Sequence, residues 1–71
     1  MTNTEALKRA ISLSGYKLTF VAEQCGITYQ AFLNKLNNDT EFKASEIQTL
    51  KTLLKLSNKE RDRIFFAVNV E

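Results

Sequence analysis

Apolar residues recur every three or four positions along most of the chain, with polar residues filling the gaps. Leu7, Ala10 and Ile11 form the first stripe, and Val21, Ala22 and Cys25 the second. Phe32 and Leu36 form a third, Ile47, Leu50, Leu53 and Leu54 a fourth closed by Leu56, and Ile64, Phe65 and Val68 a fifth. This is helical spacing. The punctuation agrees with it: Thr2 with Glu5, Ser45 with Gln48 and Ser57 with Glu60 are possible capping boxes. Thr19 and Thr28 are possible caps for two short middle helices, Gly26 a stop between them, and Gly15-Tyr16-Lys17 a break before them. The pattern predicts an all-α chain of five short helices, with Phe42 anchoring a polar connection and Phe20 a core or helix-packing contact. Only Phe65 to Val70 is ambiguous, since its alternation also fits an edge strand.

The stretch from Leu18 to Asn37 organises the rest. Two short helices joined at Gly26 read as a helix-turn-helix, with Ala22 and Gly26 small enough for close approach. With Phe32 and Leu36 turned inward, helical rotation points Gln30 and Asn34 outward and leaves Tyr29 near the edge. Side-chain amides are suited to adenine, whose N6 and N7 they can engage together. Thr28, as a cap, lies beside a helix N-terminus able to receive a phosphate. Leu33 falls between faces, available to a thymine methyl or to a neighbouring helix.

Ala22, Gly26, Ile27 and Thr28, followed by a polar helix and by Lys35-Leu36-Asn37-Asn38, resemble the Cro/C1-type (XRE) helix-turn-helix regulators of phages and mobile elements. The likeness spans roughly Leu7 to Leu56. It implies a five-helix, lambda-repressor-like DNA-binding domain with the second motif helix, about residues 29–37, in the major groove. It also implies base contacts from Tyr29, Gln30 and Asn34. Lys17, Thr28, Lys35, Asn37, Asn38 and Lys43 flank that surface as expected backbone contacts. One residue departs from the family pattern: Lys35 stands where an apolar side chain is usual.

Composition narrows the alternatives. With 71 residues, 44% of them hydrophobic, the chain makes one domain over residues 1–71. Cys25 is the single cysteine and there is no histidine, which excludes an internal disulfide, a Cys/His zinc site and histidine acid–base chemistry. With no Gly-rich phosphate loop and no paired carboxylates on a common face, the expectation is a binding protein and not an enzyme, with no cofactor and no small-molecule ligand implied. No apolar run is long enough for a membrane span and no signal segment is visible, so a cytoplasmic location is expected.

Net charge is +2, and between Lys17 and Lys43 three lysines balance three acids. Charge alone does not point to DNA. One short reading helix covers only a few base pairs, so a homodimer on two-fold double-stranded DNA is expected, paired by its own residues or by the DNA itself. Phe65, Phe66, Val68 and Val70 are the surplus apolar residues expected at the dimer contact. The rival reading is a helical protein-interaction module or antitoxin-like partner using that same C-terminal surface.

Overall fold

The helix starts follow from local hydrogen bonding. Asn3, not Thr2, caps the first helix: its side-chain oxygen accepts the Ala6 N–H at 3.1 Å, while Thr2 is buried. The second helix starts at Leu18 behind Lys17, which makes no side-chain cap, so Thr19 lies inside the first turn. Lys43, not Ser45, precedes the fourth helix, and its backbone N–H donates to the Glu46 carboxylate at 2.9 Å. Thr28 and Ser57 cap as expected. Thr28 Oγ1 accepts from Ala31 N–H, and Ser57 and Glu60 satisfy each other's backbone N–H groups. Those bonds hold the Glu60 carboxyl below the usual carboxylate range.

The computed structural model describes residues 2–66. They form α1 (Thr4–Ser14), α2 (Leu18–Gln24), α3 (Tyr29–Leu36), α4 (Ala44–Leu53) and α5 (Asn58–Phe65), with no strand among the described residues. None of these helices is long and apolar enough to cross a membrane.

One cluster joins all five helices. Leu7 and Ile11 of α1, Val21 and Ala22 of α2, Phe32 and Leu36 of α3, Leu50 of α4 and Ile64 and Phe65 of α5 are all buried in it. Phe42 fills the centre from the α3–α4 connection. Its ring meets Phe32 edge-on at 6.1 Å and Phe65 edge-on at 5.5 Å, an arrangement favoured by the ring quadrupoles. Leu33, Cys25, Ile47, Leu53 and Leu54 pack partly buried around this core. Phe20 does not join it: the ring is exposed and lies 5.1 Å from Tyr16.

The chain ends of the described region are tied together. The Asn3 N–H donates to the Ile64 carbonyl at 2.6 Å, and the Asn38 side-chain amide donates to the Thr2 carbonyl at 3.1 Å. Thus the residues before α1 bridge the end of α3 and the end of α5.

Candidate nucleic-acid interface

The α2–α3 junction is built by one short sequence. Gly26 takes φ +74°, a left-handed value that glycine adopts without a Cβ penalty. Its N–H donates to the Glu23 carbonyl and the Ile27 N–H to the Ala22 carbonyl, closing α2 by the two-bond pattern of a Schellman motif. Thr28 then opens α3 at once, so the two helices meet with a single tight turn between them. Val21, Ala22, Phe32 and Leu36 are buried in the core, and α3 packs on both α2 and α1.

The opposite side of α3 faces outward. Tyr29 is 45% exposed, Gln30 is exposed and Asn34 is partly exposed. Gln30 Nε2 donates to Asn34 Oδ1 at 3.1 Å, one helical turn apart. That bond steadies two flexible amides and leaves one amide oxygen and one amide nitrogen of the pair without a partner in it. A donor beside an acceptor is the pattern that adenine offers along its major-groove edge. Thr28 accepts the Ala31 N–H, so the first-turn N–H groups of Tyr29 and Gln30 have no acceptor inside the helix.

The expected backbone contacts divide. Lys17 and Lys43 are exposed at the starts of α2 and α4, and Asn37 is exposed at the end of α3. Asn38 is exposed too, but its amide is engaged by the Thr2 carbonyl. Lys35 corrects the expectation: it is buried, 8% exposed, and takes no place on the outer surface. Its ammonium pairs with Glu46 at 3.2 Å, donates to the Glu41 carbonyl at 2.9 Å and lies 6.0 Å from the Phe42 ring centre. An inward charge needs such partners, since an uncompensated buried ammonium is costly. A lysine in an apolar slot was the available signal for a buried acid, and Glu46 was not singled out from it.

Removing Lys35 from the surface changes the electrostatics. Between Lys17 and Lys43 the exposed cations are Lys17 and Lys43, against exposed Glu23, Asp39 and Glu41. The motif face is therefore not a basic patch. Cys25 sits behind it, half-buried, with its thiol pushed up to about 11 by burial and by the Glu46 carboxylate, against the opposing pull of Lys35. That thiol stays protonated and unreactive at neutral pH.

The expected dimer residues also divide. Phe65 is a correction: it is buried in the core against Phe42 and is not available to a partner. Phe66 is 54% exposed. Val68 and Val70 lie outside the described residues, as does most of the segment whose alternation fitted a strand. Among the described residues no group of acids and cysteine is arranged to hold a metal ion. No family model, curated protein or solved structure matches this chain.

Proposed function

We propose that this protein is a sequence-specific DNA-binding regulator of the Cro/C1 helix-turn-helix type, with a lambda-repressor-like arrangement of its helices. The reading rests on one observation above all. Helix α3 is anchored from behind by Phe32 and Leu36 and presents Tyr29, Gln30 and Asn34 on its free side, immediately after a tight turn at Gly26. In this reading α3 enters the major groove, the Gln30–Asn34 pair reads an A·T pair, and Tyr29 covers the neighbouring step. Lys17, Lys43, Thr28 and Asn37 meet the phosphates and set register. Two copies occupy a two-fold operator, with Phe66 the described part of their contact, and occupancy blocks transcription. The protein is a binder and has no catalytic role.

Mobility shifts on the DNA flanking its own gene, at two salt concentrations, test this. Gln30→Ala or Asn34→Ala is expected to cost about 1–3 kcal/mol at the operator and to relax preference at one base position. Lys43→Ala is expected to weaken all sequences alike and to lower the salt slope by about one. With Lys17 and Lys43 as the two cations assigned to phosphates, the wild-type slope is expected near −2 per domain, since each neutralised phosphate contributes about −0.9. Unchanged affinity and base preference in both α3 variants would remove that helix from the groove.

A second reading has its own support. The acid-leaning charge of the motif surface and the exposed Tyr16–Phe20 pair suit a helical protein-interaction module. Binding to a protein target with no sequence-dependent shift on any DNA would select it.

A further inference from the structure

Helices α1 and α3 lie side by side, and a cleft of about 420 Å³ is lined by both. Its floor is apolar, made by Ile11, Leu18 and Leu33. Its polar lining comes from Lys8 and Ser12 of α1 and from Asn37 at the end of α3. Tyr16 in the α1–α2 break walls one end. Beyond Asn37, the Asn38–Thr2 hydrogen bond fastens the end of α3 to the residues before α1.

The volume lies within the usual span of small-molecule sites, about 300–1,000 Å³. The composition matches them as well: a mostly apolar lining with few polar residues. Among the described residues Lys8 is the only charged one lining the cleft, and it forms no ion pair there, where the pairs are Lys35–Glu46 and Arg61–Asp62. We infer that this cleft binds a small amphiphilic carboxylate: one ring or short alkyl chain against Ile11, Leu18 and Leu33, with its carboxylate accepting from Lys8 and Ser12 or Asn37. The inference does not rest on the DNA-binding reading, although the cleft shares Asn37 with that surface and includes Leu33, the residue beside Asn34.

The test is a titration of the full, ¹⁵N-labelled chain at neutral pH with 4-phenylbutyrate and with its uncharged amide, followed by ¹H–¹⁵N correlation spectra. Both probes are expected to give saturable shifts centred on the amides of Lys8, Ser12, Tyr16, Leu33 and Asn37. The carboxylate is expected to bind roughly two- to fivefold tighter, the range for a partly exposed ion pair. Lys8→Gln, a change on an exposed side chain, should equalise the two probes. Ser12→Phe should fill the cleft and abolish both, with the remaining spectrum unchanged to show that the fold survives. Shifts that fail to saturate, centre elsewhere or persist in Ser12→Phe would overturn the site. A carboxylate no tighter than its amide would overturn the assigned ligand class.

Discussion

Lys35 and Glu46 show how one side chain can belong to several parts of the structure. A single Glu46 oxygen accepts the Lys43 N–H and pairs with the Lys35 ammonium, so it starts α4 and neutralises α3 at once. Both side chains are about nine-tenths buried. Removing one partner leaves the other charged and unpaired, which costs several kcal/mol in such settings. Glu46→Ala is expected to lose about 3 kcal/mol by urea unfolding, with Lys35→Met losing less because its stem still packs. Near-equal, sub-kilocalorie losses would mean that solvent reaches the pair freely. Cys25 reports on the same neighbourhood through pH. Its folded thiol titrates at about 11 against an ordinary 9.0, so the fold prefers the neutral form. That preference is fully present below pH 9 and is lost as pH rises toward 11. Wild-type stability should therefore fall more steeply over that window than that of Cys25→Ala, measured by denaturant midpoint at each pH.

At the level of elements, three helices end in the same way with three different residues. Gly26 after α2, Asn38 after α3 and Lys55 after α4 all take positive φ: 74°, 62° and 56°. Each is followed by the paired bonds of a Schellman ending: Gly26–Glu23 with Ile27–Ala22, Asn38–Lys35 with Asp39–Asn34, and Lys55–Thr52 with Leu56–Lys51. Glycine suits the site, asparagine tolerates it, and lysine is strained there. Lys55→Gly is expected to stabilise the protein by roughly 1 kcal/mol. Gly26→Ala should destabilise it by about 1–2 kcal/mol through backbone strain alone, because a Cβ at Gly26 meets nothing within 4 Å. Thermal unfolding of both variants checks the opposite signs. The same comparison explains what could be read from the sequence. Apolar spacing located all five helix interiors, and Gly26, Thr28 and Ser57–Glu60 carried recognisable end signals. Lys17, Lys43 and Lys55 carried none, because lysine has no preference for the backbone geometry it adopts at these ends. Gln30 and Asn34 were legible as outward residues from helical rotation. Lys35 was not legible as inward, since only the fold reveals that Glu46 and the Glu41 carbonyl await it.

For the molecule as a whole, continuity of the core is decisive. Phe32, Phe42 and Phe65 form an unbroken aromatic row from α3 through the connection to α5, and Leu7 and Ile11 bring in α1. No helix has a separate core to itself. Unfolding is expected to be a single two-state transition, with far-ultraviolet dichroism and tyrosine fluorescence giving coincident denaturant curves. Separate midpoints would mean that α5 releases before the motif, a possibility that the exposed Phe66 at its end makes worth measuring.

The bond from Asn3 N–H to the Ile64 carbonyl also sets an order in time. Asn3 is made 61 residues before Ile64, its acceptor. At about 5–20 residues per second, several seconds separate the two, whereas helices form far faster. α1 and the two motif helices are completed within that interval, before α5 is made to close the shared core. A nascent chain stalled short of Ile64 would hold the core without Ile64 and Phe65, leaving apolar residues of that cluster open to capture by a chaperone.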